Sequence, residues 1–454
     1  MKRKLTMKET IVVASTLFGM FFGAGNLIFP VHLGQMAGNN ALPAIIGFVI
    51  TAVTIPILAV AAIGNTHSDN LMQLSSKVSG WYGKVFTAAL YLTIGPFFAI
   101  PRCASVSFTT GIEPIVGESH HGLWQLIFTF IFFAFVMYFS LRPGKITTWI
   151  GRVINPLFLV FLGILIIVAL VNPGAPVSEV APTEAYQSGA LFNGIIEGYG
   201  TMDAIAGLAF GIVIINVVRD LGVDNDSDVA RETLKSGVFT GILMLIIYAL
   251  TIIMGAQSRG LFEVSANGGI ALTQISNHYL GTVGSIVLAL TITFACLKTA
   301  IGLITSCGEM FLKLVPGKLN YRGWAMFFTL FSFIVSNVGL TAIINYAVPV
   351  LMLLYPLATV LVVLALCEKL FGKSRYVYGW VTLGAFIPAV FDFCKTLPEG
   401  VQTALHIPAM TELGRSIFPF FDLGLGWVVP ALIGLVIGIV LTLINRGKTG
   451  KASA

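Results

Sequence analysis

The stretch Leu17-Phe-Gly-Met-Phe-Phe-Gly-Ala-Gly-Asn-Leu-Ile-Phe-Pro30 is apolar enough to lie in a membrane, yet its centre holds small residues and an amide. Glycine costs about 1 kcal/mol relative to alanine inside a helix, so the residues from Gly23 to Asn26 favour a local break. The alternative is close packing of these small residues against a neighbouring helix. Broken backbone at membrane depth is tolerated only within protein or beside a water-lined cavity. A break here therefore predicts a ligand-binding segment.

The whole chain has the composition of a membrane protein. Of its 454 residues, 56% are hydrophobic and 10% are charged, whereas soluble domains have about 45–50% and 25%. This composition excludes a soluble enzyme, a nucleic-acid binder, a disordered protein and a disulfide scaffold. The five cysteines stand singly, without a Cys-x-x-Cys spacing, and so indicate neither a metal site nor a redox site.

Apolar runs predict an all-α polytopic protein with twelve transmembrane helices, because one crossing needs about 20 mostly apolar residues. The runs are continuous, whereas the strands of a membrane β-barrel alternate over about 10 residues. In the loops and at the ends of the spans, 21 Lys and Arg residues fall on the side of the N-terminus and 3 on the other side. Positive charges gather in cytoplasmic loops, so both termini are predicted to be cytoplasmic. The predicted spans are 10–33, 41–64, 82–112, 123–141, 150–171, 191–218, 236–257, 282–312, 323–338, 341–367, 376–393 and 423–444.

The sixth span repeats the pattern of the first. In Gly194-Ile-Ile-Glu-Gly-Tyr-Gly-Thr-Met-Asp203, glycines again interrupt an apolar helix. Matching breaks in spans one and six predict two inverted five-helix repeats, 10–171 and 191–367, followed by two extra helices at 376–444, all within a single domain 1–454. Interrupted helices at matching positions of inverted repeats indicate the binding site of a secondary transporter.

Four motifs spread over most of the chain are those of a known family. They are Gly19–Pro30, Gly95–Arg102, Gly198–Asp203 and Ala295–Gly302. Together they resemble the branched-chain amino-acid:cation symporter family, the BrnQ-type carriers. The resemblance implies uptake of leucine, isoleucine and valine coupled to sodium, on a fold similar to the LeuT-type 5+5 inverted repeat with helices 1 and 6 broken. It also implies a bacterial cytoplasmic membrane.

We expect the substrate to bind between the two breaks, where half-helix N-termini face a carboxylate and freed carbonyls face a cation. Arg102 lies deep in the third span, where it binds the substrate carboxylate or forms a structural ion pair with Glu197, Asp203 or Glu113. Asp203 either contacts the substrate ammonium or the coupling cation, or caps the following half-helix, and the cap is the favoured interpretation. The predicted substrate-binding residues are Gly23, Ala24, Gly25, Asn26, Arg102, Gly198, Tyr199, Gly200, Thr201 and Asp203.

A cation site is predicted from the resemblance, where span eight passes span one. Its residues are Gly19, Phe22, Lys298 and Thr299, with sodium near Gly19, Phe22 and Thr299. Thr299 suits such a site, but Lys298 does not, because an ammonium can occupy the site itself or carry a proton in place of sodium. The alternative is a lysine that extends to the interface or pairs with an acid elsewhere. No cofactor is expected beyond a coupling ion, Na⁺ or H⁺.

The expected partners are the small-molecule substrate and membrane lipid, without nucleic acid, and nothing in the sequence specifies an oligomeric state. A proton-coupled or uncoupled carrier of other small neutral amino acids is the alternative within transport. A membrane-embedded enzyme or a channel is the alternative of a different class. Three acids near the ends of spans are expected to be solvated: Glu309, Glu368 and Asp392.

Overall fold

The computed structural model describes residues 4–66, 68, 70–116, 120–142 and 146–451, and in these residues every regular element is a helix. The first helix begins with a capping box, in which Thr6 and Glu9 satisfy each other's backbone N–H groups. The helices of the first half are α1 (Met7–Phe21), α2 (Gly25–Ala37), α3 (Ala41–Val49), α4 (Ile55–Asn65), α5 (Leu71–Ser75), α6 (Gly80–Leu92), α7 (Ala99–Gly111), α8 (Glu113–Val116), α9 (His121–Ser140) and α10 (Ile146–Val171).

The second half is built in the same way, with long apolar helices joined by short helical turns. Its longest helix, α14, is bent at Gly281, where φ is +61°. The helices are α11 (Glu184–Tyr199), α12 (Asp203–Asp220), α13 (Asp226–Gln257), α14 (Gly268–Leu314), α15 (Tyr321–Ser336), α16 (Leu340–Leu366), α17 (Glu368–Phe371), α18 (Arg375–Lys395), α19 (Glu399–Ala404), α20 (Ile407–Ile417) and α21 (Val428–Lys451).

The chain is a multi-pass membrane protein. Within its described part, eight helical segments are long and apolar enough to cross a membrane, or nine if α11 and α12 count as one bent span. Each of the twelve predicted stretches falls largely on one or two of the helices. The count of twelve crossings stays a prediction.

The helix pair α6–α7 contains an interruption that the apolar run 82–112 does not reveal. Residues Thr93–Phe97 form a π-helical turn, and Gly95 has non-helical angles of φ −97° and ψ −123°. The next residue, Pro96, has no N–H to donate and clashes with the preceding turn of a regular helix. The turn changes the direction of the chain just before Arg102.

Glycines allow the helices around the two main breaks to approach closely. A Cβ on Gly34 of α2 would overlap the Ile252 carbonyl of α13, and a Cβ on Gly255 of α13 would overlap the Val31 carbonyl of α2. In the same way, Gly47 of α3 faces the backbone of α11. Small residues give membrane helices this contact without a hydrophobic driving force. The contacts hold α2 and α11, one half of each interrupted span, against fixed neighbours.

Two of the three acids expected to be solvated are buried instead. The Glu368 carboxylate lies 2.8 Å from Lys77 Nζ, because the short helix α17 turns it back toward the segment after α5. Asp392 on α18 is fully buried, since α16 and α21 pack on both sides of that helix. Glu309 is exposed, as expected.

Candidate functional site

The first span is interrupted at the predicted residues. Helix α1 ends at Phe21 and α2 begins at Gly25. Phe22 has extended backbone angles, φ −74° and ψ 100°. The Gly23 N–H, freed from the helix, donates to Asn26 Oδ1 at 3.0 Å. The Asn26 side chain thus stabilises the break that the glycines beside it cause.

The sixth span is interrupted in the same way. Helix α11 ends at Tyr199, and α12 begins at Asp203 with a bend of 43°. Between them Met202 is buried and has a φ of +65°, a conformation that bulky residues rarely adopt. Such strain persists only where the surrounding structure determines it. The Thr201 hydroxyl donates to the Gly198 carbonyl at 2.9 Å, which satisfies one of the carbonyls left at the end of α11.

A buried hydrogen-bond network joins the two breaks to α13. Asn26 Nδ2 donates to Asp203 Oδ2 at 2.5 Å and also contacts the Tyr248 hydroxyl. The Tyr248 hydroxyl in turn donates to Asp203 Oδ2 at 3.3 Å. The favoured interpretation of Asp203 as a helix cap is wrong, because its carboxylate accepts from these side chains and α12 has no side-chain cap. The physical reason is that Met202 occupies the N-cap position, so Asp203 is already the first residue inside α12.

Arg102 contacts both breaks. Its guanidinium is buried and donates from Nη1 to the Gly200 carbonyl at 2.6 Å. A Cβ placed on Gly25 would lie 2.7 Å from Nη2, so the glycine leaves the room that the guanidinium fills. The Phe29 ring packs beneath it, with the ring centre 5.3 Å from Cζ. Of the described carboxylates, none lies within 4.0 Å of Arg102, so the structural ion pairs considered from the sequence do not form.

The residues of the predicted cation site also come together. Lys298 Nζ donates to the Gly19 carbonyl at 3.2 Å. Thr299 Oγ1 donates to the Ala295 carbonyl of its own helix at 3.1 Å, and the same hydroxyl lies 3.6 Å from the position of a Cβ on Gly23. The Phe22 ring stacks on Phe18, with ring centres 4.7 Å apart. An ammonium thus lies against the end of α1, where the resemblance implies a cation.

Three cavities follow one another through this region. The α16 cavity, of about 150 Å³, lies between Phe29, Glu197, Tyr199, Gly200 and one face of α16. The break cavity, of about 50 Å³, is lined by both interruptions. The α14 cavity, of about 340 Å³, follows α14 from Lys298 to Glu309. Arg102 and Met202 line the first two cavities, while Met20, Phe210, Thr299 and Leu303 line the last two.

Most of the predicted substrate-binding residues line these cavities. Tyr199 and Gly200 line the α16 cavity, and Gly19 lines the α14 cavity. Gly198 is not among the described residues that line any of the three. A Cβ on Gly198 would overlap the Thr51 hydroxyl, so this glycine serves helix packing on the opposite face of α11. The break cavity is lined by Gly23, Ala24, Gly25, Asn26, Arg102, Thr201 and Asp203.

Sequence reasoning missed Tyr248 and the residues of α16. Tyr248 is one polar group in a long apolar run, and its full burial is visible only when α13 packs on the breaks. The α16 residues that line a cavity look like lipid-facing residues in the sequence. Glu197 lies next to the second break, and this position in the sequence could have indicated that it lines the site.

Comparisons with known proteins agree with this architecture. A family model described as "Branched-chain amino acid transport protein" matches residues 6–445. The branched-chain amino acid permease BrnQ of Lactobacillus delbrueckii subsp. lactis is 47% identical over 451 residues, which cover 99% of this chain and 100% of that protein.

Among solved structures, the inward-facing conformation of Mhp1 has a TM-score of 0.61 at 12% identity, covering 96% of this chain and 91% of that one. MhsT in complex with L-phenylalanine has a TM-score of 0.56 at 15% identity, covering 98% and 99%. At these identities the likenesses show the fold alone, and it is the LeuT-type fold that the resemblance implied. The chain therefore belongs to the branched-chain amino acid transport protein family.

Proposed function

We propose that this protein takes up leucine, isoleucine and valine by secondary active transport across a bacterial cytoplasmic membrane. The observation that carries the proposal is the series of three cavities along two interrupted helices, with Arg102 where the first two meet. The permease that shares 47% identity over almost the whole chain supports the substrate class. The distribution of Lys and Arg supports cytoplasmic termini.

In the proposed orientation the α16 cavity lies on the outer side of the breaks and the α14 cavity on the cytoplasmic side. Residues 10–171 and 191–367 form the inverted repeats, and the bundle of spans 1, 2, 6 and 7 rocks against the other helices. The buried Asn26–Asp203 hydrogen bond keeps the two interrupted spans together during this movement. Arg102, on the third span, belongs to the part against which they move.

The proposal predicts saturable uptake of labelled leucine into proteoliposomes that contain the purified protein. Isoleucine and valine should compete with leucine, whereas glutamate and lysine should not, because the α16 cavity is mostly apolar. A gradient of the coupling ion should drive accumulation, and an ionophore should abolish it. Competition by small neutral amino acids in general would favour the broader carrier, and a flux that does not saturate would indicate a channel and overturn the proposal.

Arg102→Lys tests the role of the guanidinium. Lysine keeps the charge but loses the planar fork that binds a carboxylate through two hydrogen bonds. We expect leucine affinity to fall by about ten- to hundredfold, since hydrogen bonds to charged groups contribute roughly 1.5–3 kcal/mol. The thermal stability of the substrate-free protein should change little. Arg142→Lys, an exposed site, is the control. Lower stability with unchanged affinity would assign Arg102 a structural role.

Gly25→Leu should abolish leucine binding while the protein remains folded. Its Cβ would already lie 2.7 Å from Arg102 Nη2, so the guanidinium would have to leave the Gly200 carbonyl. Gly379→Ala is the matched control, because a Cβ there meets no atom within 4 Å. Equilibrium binding to detergent-purified variants gives the measurement, with elution volume as the test of folding. Normal leucine affinity in Gly25→Leu would contradict the assigned site.

We propose further that the Lys298 ammonium holds the place of a coupling sodium ion. Its hydrogen bond to the Gly19 carbonyl supports this, because a cation site at a helix end uses such carbonyl oxygens. Thr299 is the next residue, and among the described residues its hydroxyl bonds only within α14. A fixed ammonium and a sodium ion bound to the same carbonyl oxygens would repel each other. Transport by the natural chain should therefore depend little on sodium.

Lys298→Thr should create a dependence on sodium by supplying a second hydroxyl in place of the ammonium. Leucine affinity in that variant should rise by roughly 5–150-fold when sodium replaces choline, the usual range of coupling between two sites. Lys298→Met removes the charge without adding an oxygen, so it should gain no such dependence. A steep sodium dependence of leucine binding in the natural chain would show that Lys298 does not occupy the site.

A further inference from the structure

The α16 cavity contains two opposite charges on otherwise apolar walls. Arg102 lines it from α7 and Glu197 from the last turn of α11, next to the second break. Charged groups inside a membrane protein are costly and mark substrate or ion pathways. Two such groups at one cavity would suit a ligand that itself carries both charges.

The Glu197 carboxylate has no hydrogen-bond donor among the described residues. Among the described residues, the one basic side chain within 4.0 Å of it is His32, whose Nδ1 lies 4.0 Å from Oε1. The other ring nitrogen of His32 lies 2.9 Å from the Ser265 carbonyl, which can only accept a hydrogen bond. At 4.0 Å, His32 Nδ1 is too far from Glu197 Oε1 for a hydrogen bond. The carboxylate is free to bind a cation that enters the cavity.

Arg102 has donors to spare. One N–H of its Nη1 is given to the Gly200 carbonyl, and a guanidinium has five N–H donors in all. The group lines both the α16 cavity and the break cavity, so a carboxylate can reach it from the α16 side. Glu197 and Arg102 are thus a carboxylate and a guanidinium at the same cavity without an ion pair of 4.0 Å or less between them.

The α16 wall of this cavity has the right size and chemistry for a branched side chain. Ile343, Ala347 and Leu351 follow one another at intervals of four residues, which places them along one face of α16. An apolar cavity of about 150 Å³ holds a molecule as large as benzene, and the α16 cavity has this volume. The break cavity, at about 50 Å³, is too small for the bulk of leucine.

We propose that the α16 cavity is the amino-acid subsite, in which Glu197 binds the ammonium, Arg102 binds the carboxylate and the α16 face receives the side chain. This inference rests on the proposed function and names residues for it. It places the body of the substrate on the α16 side of Arg102. The loop of the first break then lies beside the carboxylate end of the substrate.

The test compares leucine with 4-methylpentanoate, which lacks only the amino group, by calorimetric titration of the purified protein. The natural chain should bind leucine more tightly than this analogue. Glu197→Gln should lower leucine affinity by about ten- to hundredfold and leave the affinity for the analogue unchanged. Glu113→Gln is the matched control, because that carboxylate pairs with His121 and lines none of the three cavities.

Ala347→Leu tests the side-chain wall independently of the charges. The larger residue would fill part of the cavity, so leucine affinity should fall more than alanine affinity. Unchanged leucine binding in Glu197→Gln, an equal loss for leucine and its analogue, or equal losses for leucine and alanine in Ala347→Leu would each overturn the inference. Failure of the natural chain to bind any branched-chain amino acid would instead overturn the proposed function. Thermal unfolding of each variant verifies that it is folded.

Discussion

The hydrogen bond from Asn26 to Asp203 is the contact on which the central architecture depends. Interrupted helices inside a membrane protein leave backbone groups that neither lipid nor a regular helix can satisfy. Asn26 satisfies one such group, because its oxygen accepts from the Gly23 N–H, and its nitrogen joins the second break by donating to the Asp203 carboxylate. Tyr248 adds a second donor to the same carboxylate. A buried carboxylate is tolerated when donors surround it, so Asp203 fastens two breaks that are far apart in the sequence.

This network is stiffened by the packing of the helices that carry it. Tyr248 belongs to α13, which approaches α2 through Gly34 and Gly255. Met202, with its left-handed conformation, is buried at the second break. The two interrupted spans are thus tied to each other near their breaks. In the proposed rocking movement they would move together and change which cavity is accessible.

The charged side chains near the breaks differ in position and therefore in the contacts that they can make. Asp203 accepts from Asn26 and Tyr248 through Oδ2 and lines the break cavity. Arg102 is directed by the π-helical turn before α7 to the junction of two cavities. Glu197 lies on one side of this junction and Lys298 on the other. In the proposed mechanism the substrate binds Arg102 and Glu197, whereas the cation position is that of Lys298. The two positions are linked by the pair of breaks that lies between them.

The local features of this protein followed from the sequence. Twelve apolar stretches predicted its helical membrane fold, and glycines at Gly23 and Gly200 located both interruptions, because helix formation and its failure depend on residues close in the chain. Arg102 was identifiable as a residue that needs a polar partner or water, because a charge within an apolar run is costly wherever it lies.

Contacts between distant residues were decided only by the tertiary structure. Asp203 has the sequence context of a helix cap, yet its carboxylate accepts a hydrogen bond from Asn26, which is 177 positions away. Gly198 has the same local signature as Gly200, but Gly198 lies within α11 and faces Thr51, whereas Gly200 lies just beyond the end of α11 and faces the Phe29 ring. The apolar face of α16 becomes a cavity wall only where it meets Glu197 and Arg102. Periodicity and composition describe single helices, whereas contacts between residues far apart in the sequence depend on how whole helices pack.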